Sequence, residues 1–187
     1  MTEASHVPVL LGRVTELLAP ALSEPGAVVV DATLGLGGHT EAMLEAFDHV
    51  HVIGIDRDAA ALARARERLS PYADRTTFAQ AVYDEIADVV AAAGYSTVSA
   101  VLLDLGVSSM QLDFVDRGFS YSKDAPLDMR MSEEDELTAA SILNTYSARE
   151  LTRILRDYGE ERFARRIADS IAANREIEPF SLSLIHI

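Results

Sequence analysis

Two apolar runs near the start of the chain each end in an aspartate. Residues 27–31 and 51–56 are rich in Val and Ile and end at Asp31 and Asp56. A continuous β-branched run of this length predicts a strand that is buried on both faces. Shorter runs at 76–80 and 99–103 predict a third and a fourth strand, and Asp104 directly follows the last of them.

Segments with helical spacing separate these runs. Helices are predicted at four places: residues 7–18, from about Thr40, residues 59–69 and residues 84–93. Pro20 and Pro25-Gly26 are expected to end the first of them. The alternation predicts an α/β fold with a parallel, doubly wound sheet. Because ligands of such sheets bind beyond the carboxyl ends of the strands, Asp31, Asp56 and Asp104 should lie along one ligand-binding edge.

A glycine-rich loop joins the first strand to the next helix. Its sequence is Gly35-Leu36-Gly37-Gly38-His39, and glycines let the backbone approach a ligand where a Cβ atom would collide. The dinucleotide fingerprint needs a third glycine where Thr40 stands, which disfavours NAD, and no G-K-[ST] ending makes a P-loop. An acidic strand end followed by G-x-G-G is typical of S-adenosylmethionine pockets. The alternative is a turn that needs glycine only for tight helix–strand packing.

The second half of the chain has a different pattern. Residues 105–131 are rich in Gly, Ser and Asp and predict a long ordered loop, which in a compact domain is usually functional. Only helices are predicted beyond it: Ser147 and Glu150 fit a capping box, and Gly159 ends that helix. The apolar positions of this helix and of the one after it are Leu151, Ile154, Leu155, Tyr158, Phe163, Ile167 and Ile171.

Composition narrows the classes of protein. The chain has 187 residues, an apolar fraction of 49% and no cysteine, which indicates a globular protein without disulfides or thiolate metal sites. No apolar stretch reaches the ~18 residues of a membrane span, so a cytoplasmic protein with no membrane partner is expected. The net charge of −14 argues against strong nonspecific nucleic-acid binding. An RNA contact, if present, is expected where seven arginines cluster: Arg149, Arg153, Arg156, Arg162, Arg165, Arg166 and Arg175.

Several sequence blocks occur in a distinctive order. They are His6-Val7-Pro8-Val9-Leu10-Leu11, Asp31-Ala32-Thr33-Leu34-Gly35-Leu36-Gly37-Gly38-His39, Leu103-Asp104-Leu105-Gly106-Val107-Ser108-Ser109-Met110-Gln111-Leu112-Asp113, Arg117-Gly118-Phe119-Ser120, Pro126-Leu127-Asp128-Met129-Arg130-Met131 and Tyr158-Gly159-Glu160-Glu161-Arg162-Phe163-Ala164. Together they resemble the bacterial small-subunit ribosomal RNA methyltransferase H family, also called the MraW family. The resemblance covers about residues 6–180 and implies a Rossmann-like S-adenosylmethionine methyltransferase sheet, here incomplete, with an inserted helical subdomain.

This resemblance implies a reaction and its partners. The enzyme would use S-adenosyl-L-methionine to methylate the exocyclic N4 amine of a cytidine in the decoding region of 16S rRNA, in the small ribosomal subunit. The oligomeric state stays open, a homodimer included. The cofactor contacts that the resemblance implies are Gly37, Gly38, His39, Asp56, Tyr83, Asp104 and Gln111.

For some of these positions, a specific role can also be predicted. Asp56 stands about 20 residues past the glycines, where such folds bind ribose hydroxyls. Tyr83 replaces the Phe that relatives often have, and its ring is expected to pack on adenine. Two residues have a structural role as the alternative to a role in the site. Asp31 would then only cap the glycine loop, and Tyr83 would be buried in the core. His39 is a weak metal candidate, because no second His lies nearby at ligand spacing.

Asp104 is the candidate catalytic residue. The lone pair of a cytidine amine is delocalised into the ring, so an acceptor for the N–H that acidifies during methyl transfer would assist the attack. Amine methyltransferases of other families often have Asn or Asp followed by Pro-Pro-aromatic at this strand end, whereas this chain has Asp104-Leu105-Gly106-Val107. Arg162, Arg165 and Arg166 are candidate RNA phosphate contacts, with an exposed helix face as the equal alternative.

We expect three segments: a cofactor-binding Rossmann-like half over 1–111, a loop and helical insertion subdomain over 112–180, and an artefactual tail over 181–187. Because the fold normally has seven strands and four are predicted here, the chain is expected to be a truncated, inactive fragment. Two rival functions remain, an NAD-dependent Rossmann oxidoreductase and a noncatalytic nucleotide-binding module.

Overall fold

The computed structural model describes residues 8–106, 118–119, 124–132 and 135–182. The chain divides into two compact units, Met1–Gly106 and Val107–Ile187, which are described separately. No helix in the described part of the chain is long and apolar enough to cross a membrane.

Unit 1 alternates helices and strands as the sequence predicts. Its elements are α1 (Leu11–Leu22), β1 (Val28–Asp31), α2 (Gly38–Ala46), β2 (His51–Asp56), α3 (Ala59–Arg68), β3 (Thr76–Gln80), α4 (Ile86–Ala92) and β4 (Ala100–Leu102), with short 3₁₀ helices at Ser70–Arg75 and Tyr83–Glu85. The strands form one parallel sheet in the order β3-β2-β1-β4. This confirms the predicted fold class and, within the described residues, the count of four strands.

The two central strands bury both of their faces. Val29 and Val52 pack in one core with side chains from α2 and α3, whereas Val30 and Ile53 pack on the opposite face beside Val90 of α4. Strands β1 and β2 therefore consist of continuous apolar runs, because alternate residues enter two different cores. Full burial of each Val or Ile contributes about 1.5–3 kcal/mol relative to exposure.

The first helix corrects one expectation. It runs from Leu11 to Leu22 and contains Pro20, which was expected to end it. Proline already has a helical φ angle and here lacks one hydrogen bond in the last turn. Leu22 is completely buried in the core, and the Ser23 N–H donates to the Ala19 carbonyl at 2.9 Å. Packing at the end of the helix thus outweighs the cost of the proline.

The helix predicted over residues 84–93 forms two consecutive elements. It begins as the 3₁₀ turn Tyr83–Glu85 and continues as α4. The Glu85 side chain accepts from the Val82 N–H at 3.0 Å. That bond holds the tight turn that precedes α4.

Unit 2 is helical in its described part, as predicted. It contains α5 (Ala139–Thr145), α6 (Ala148–Asp157) and α7 (Ala164–Asn174), of which α5 was not predicted. Ser147 and Glu150 form the predicted capping box at the start of α6. Ser181 and Leu182 pair with the chain at residues 126–127, while residues 183–187 of the predicted tail lie outside the described residues.

The predicted apolar face of these helices is only partly buried. Leu151 is buried, but Tyr158, Phe163 and Ile167 are exposed. The buried positions of α7 are Ala164 and Ala168, which permit close packing against α6. Phe163 and Ile167, two of the apolar positions expected on the second helix, are therefore not on its buried side.

Candidate functional site

The three aspartates predicted to share an edge of the sheet do so. Asp31 is the last residue of β1 and pairs in register with Gly54 of β2 and Leu102 of β4. Asp56 ends β2, and Asp104 lies two residues beyond β4. The strand order reverses between β1 and β4, and a crevice at such a point is where doubly wound sheets bind ligands. Asp31 and Asp104 therefore flank the expected binding crevice.

Asp31 is a buried acceptor. Its Oδ2 accepts from the Thr40 hydroxyl at 2.8 Å and its Oδ1 from the Thr33 N–H at 3.3 Å. Burial raises the pKa of the Asp31 carboxyl to about 6, although both hydrogen bonds and nearby His39 oppose the shift. These hydrogen bonds connect the end of β1 to the glycine loop and to the first turn of α2. They agree with the structural alternative for Asp31, in which it caps the glycine loop.

Asp56 holds the glycine loop. Its Oδ2 accepts from the Gly35 N–H at 2.8 Å and its Oδ1 from the Asp58 N–H at 2.9 Å. Burial raises the pKa of this carboxyl as well, against the effect of those two bonds. A carboxylate has about four lone-pair sites, so acceptor capacity remains for a ligand hydroxyl.

His39 and Asp104 lie close together at this edge of the sheet. The His39 Nε2 lies 3.5 Å from the Asp104 Oδ2; the imidazole is buried, whereas the Asp104 side chain is 49% exposed. The Asp104 N–H donates to the Thr33 Oγ1 at 2.7 Å, which fixes the backbone at this point. The His39 Nδ1 is buried without a hydrogen-bond partner in the described part of the chain. Asp104 thus presents a partly exposed carboxylate from a fixed position.

The glycines of the loop make room for protein atoms. A Cβ atom on Gly37 would lie 2.9 Å from the Leu69 Cδ1, and one on Gly38 would lie 2.5 Å from the Pro8 Cγ. Gly37 also has φ +77°, a conformation that favours glycine. Tight packing therefore accounts for both residues, and any ligand contact there would come from their backbone.

The remaining candidates differ in placement. Helix α2 begins at Gly38 with no side chain capping its first N–H groups, which leaves donors at the strand ends. Tyr83 is 57% exposed, so it is not the core residue of the structural alternative. It follows β3, at the same edge of the sheet. Gln111 lies outside the described residues.

Two residues of this region were not among the candidate site residues. Thr33 accepts from the backbone of Asp104, and Thr40 donates to Asp31. Their only sequence signal is a position next to the strand-end aspartate and the glycine loop. Threonine is common in such loops for local hydrogen bonding, so that signal is weak.

A groove of about 490 Å³ also lies between α1 and α2. It is lined by Leu11, Thr15, Glu16, Ala42 and Glu45, among others. It follows α2 toward Phe47, away from the strand ends where the aspartates meet. It is therefore distinct from the candidate site.

Comparison with known proteins agrees with the motifs. The chain matches the MraW methylase family over residues 3–184, which confirms the resemblance. It is 61% identical over 183 residues to the Ribosomal RNA small subunit methyltransferase H of a Nocardioides species, covering 98% of this chain and 57% of that protein. The protein of the same name from Frankia alni is 63% identical over 179 residues, covering 95% of this chain and 55% of that protein. The chain thus spans about half the length of the curated relatives it matches.

Among solved structures, an rRNA methylase from Streptococcus thermophilus shares 24% identity with a TM-score of 0.37, over 45% of this chain and 49% of its own. A superposition of this extent is too partial to support a structural argument.

Proposed function

The chain belongs to the MraW methylase family, and from this we propose that it carries the cofactor-binding half of an S-adenosylmethionine-dependent enzyme that methylates the N4 amine of a cytidine in 16S ribosomal RNA. The observation that carries the proposal is the pair of carboxylates, Asp56 and Asp104, presented at the carboxyl edge of the sheet beside the uncapped start of α2. A ribosomal RNA substrate would place the enzyme in the cytoplasm.

The residues at the strand ends fit such a cofactor. Asp56 retains acceptor sites for ribose hydroxyls, and the first N–H groups of α2, at Gly38 and His39, suit the carboxylate of an amino-acid moiety. The exposed ring of Tyr83 suits an adenine face. Gln111 would complete the set. When bound, S-adenosylmethionine supplies an electrophilic methyl group on sulfur.

Asp104 is proposed to act on the incoming amine. As the amine nitrogen forms its bond to the methyl carbon, its N–H becomes acidic, and a carboxylate that accepts this hydrogen stabilises the developing charge. The 49% exposure of the Asp104 side chain leaves it accessible to a base entering the crevice.

His39 and Thr33 are proposed to hold that carboxylate. Thr33 fixes the Asp104 backbone, and a proton on the His39 Nε2 would point to Oδ2. At 3.5 Å the contact is long for a hydrogen bond, and catalytic hydrogen bonds of this kind tighten in the complex with substrate. An oriented carboxylate loses less entropy when it engages the amine.

The rival functions make different predictions for binding. An NAD-dependent oxidoreductase would bind NAD, and a noncatalytic nucleotide-binding module would bind its ligand without turnover. Isothermal titration of this chain with S-adenosylmethionine, S-adenosylhomocysteine and NAD distinguishes a methyltransferase from an NAD-dependent oxidoreductase. We expect binding of the two sulfur compounds only.

Turnover requires a second experiment. Because the chain spans about half the length of its curated relatives, methyl transfer is measured both on this chain and on an extended one. An extended chain, in which the C-terminal part of the Frankia alni relative replaces residues 181–187, should transfer tritiated methyl to unmethylated small ribosomal subunits. Nuclease digestion should give N4-methylcytidine. Methyl on another base, or none, would contradict the proposed reaction, and equal activity of the unextended chain would contradict its expected inactivity.

A further inference from the structure

The exposed ring of Phe163 in unit 2 lies beside two arginines that contact no carboxylate among the described residues, and a second exposed ring, Tyr158, is close in sequence. Tyr158 follows α6 and is 83% exposed, and Phe163 precedes α7 and is 56% exposed. Arg162 and Arg166 lie over the Phe163 ring, at 5.6 and 5.8 Å from its centroid. Phe163, Arg162 and Arg166 are called the arginine–aromatic face.

Local packing keeps this face outward. Ala164 and Ala168 take the buried side of α7, so neighbouring positions at its start point to solvent. The Phe163 N–H donates to the Glu161 Oε1 at 2.7 Å, which fixes the chain where it enters the helix. The ring is therefore held on the surface of a rigid element.

Some arginines of this region form ion pairs with carboxylates and others do not. Arg156 pairs with Asp157 at 2.9 Å, and Arg165 pairs with Asp169 at 3.8 Å. In the part of the chain that the structure describes, neither Arg162 nor Arg166 contacts a carboxylate. Among the described residues, these two guanidinium groups therefore have no carboxylate partner, and both lie within cation–π distance of the Phe163 ring, which is itself 56% exposed.

This combination fits single-stranded RNA. Bases stack on aromatic rings and on guanidinium planes, while arginines neutralise the phosphates between them. Protein interfaces are also rich in aromatic residues and arginine, but two cations without a carboxylate partner match a phosphate backbone. We propose that the arginine–aromatic face binds single-stranded RNA, with Phe163 as the stacking platform and Arg162 and Arg166 as phosphate contacts.

The inference rests on the RNA methylation proposed above but is tested without it. Fluorescence anisotropy of a labelled 12-nucleotide single-stranded RNA with the whole 187-residue chain needs neither cofactor nor turnover. Loss of methyl transfer with RNA binding intact would therefore contradict the proposed reaction alone.

Different variants measure the contributions of base stacking and of phosphate contacts to RNA binding. Phe163→Ala should weaken binding about 5- to 150-fold, the range for loss of one stacked base, whereas Phe163→Trp should retain it. Arg162→Gln and Arg166→Gln should each reduce the slope of log affinity against log salt by about 0.7. Glu160→Gln, which removes an exposed negative charge next to the face, should strengthen binding.

Arg13→Gln is the matched control, since it removes an arginine from exposed α1, where Arg13 pairs with Glu16. It should leave the salt slope unchanged. The proposal is overturned if the chain does not bind the RNA at 50 mM salt, or if Phe163→Ala and the two arginine variants bind like the unmodified chain. It is also overturned if Phe163→Ala changes the sedimentation of the free chain, because the face is then a protein interface. Circular dichroism melts confirm that each variant is folded.

Discussion

The imidazole Nε2 of His39 lies 3.5 Å from the carboxylate Oδ2 of Asp104, at the point where the strand order of the sheet reverses. His39 is buried in the first turn of α2, and its Nδ1 has no partner in the described residues. A proton on Nε2 can meet the carboxylate, whereas a proton on Nδ1 would be buried and unpaired, so the Nε2–H tautomer is favoured. The pair links a buried ring to the most accessible of the strand-end carboxylates.

Replacing His39 should therefore affect methyl transfer through Asp104. In the extended chain, His39→Phe should lower the single-turnover rate about 10- to 100-fold, equivalent to a hydrogen bond to a charged group, and His39→Gln should retain more activity. In a double-mutant cycle, His39→Phe should add little to Asp104→Asn. Fully additive losses would show that His39 acts independently of Asp104.

Asp104→Asn tests the acceptor role directly. In the extended chain it should lower the single-turnover methylation rate about 100-fold, with a much smaller loss of S-adenosylmethionine affinity, because the missing interaction belongs to the transition state. Isothermal titration gives the affinity and rapid quench the rate. Equal losses in the two measurements would assign Asp104 to binding.

Asp56→Ala should weaken cofactor binding by about 1.5–3 kcal/mol, the range for hydrogen bonds to a charged group. Its carboxylate also accepts the Gly35 N–H, so Asp56→Asn, which can keep that bond, separates loop support from ribose binding. An unchanged dissociation constant in Asp56→Ala would place the ribose site elsewhere. Thermal melts of both variants report any loss of loop structure.

The buried carboxyl of Asp31 should make stability depend on pH. Its folded pKa is about 6, against 3.8 ordinarily, so between these values the folded state holds a proton that the unfolded state has released. Stability should consequently fall as pH rises from about 4 to about 6 and then level off. Urea unfolding of the chain should show a loss on the order of 2 kcal/mol that Asp31→Asn lacks.

Comparing the two proteins at each pH removes the contribution of Asp56, whose pKa is raised in the same direction. The groups that act on the Asp31 carboxyl are Thr33, Thr40, His39 and Asp56. Parallel stability curves for the unmodified chain and Asp31→Asn would show that Asp31 is already ionised at pH 4.

The strands and the placement of the aspartates were predictable for a physical reason. β2 has the bounds that its apolar run predicts, because residues facing a core must be apolar whatever their neighbours are. β3 also has its predicted bounds, although its residues are at most partly buried. Parallel strands end at one edge, so Asp31, Asp56 and Asp104 had to lie along it. The position of Pro20 inside α1 was not predictable locally, since the burial of Leu22 in the tertiary core decides it.

The hydrogen-bond partners within the site could not be predicted from the sequence pattern. The contacts of Thr33 and Thr40 arise from the loop conformation and from individual side-chain rotamers. Gly37 and Gly38 were interpreted as openings for a ligand, yet Leu69 and Pro8 occupy the space where their side chains would be. Phe163 fits a helical apolar pattern, but two alanines supply the buried contacts of α7.

The central position of β1 has a consequence for synthesis of the chain. Val29 pairs with Val52 on one side and with Ala100 on the other, so the strand that emerges first gains its second neighbour last. At about 5–20 residues per second, the roughly 70 residues between Val29 and Ala100 take about 4–14 s to translate. Throughout that interval the nascent chain carries an apolar strand with one open edge, and chaperones and mispaired strands compete for it until β4 leaves the ribosome.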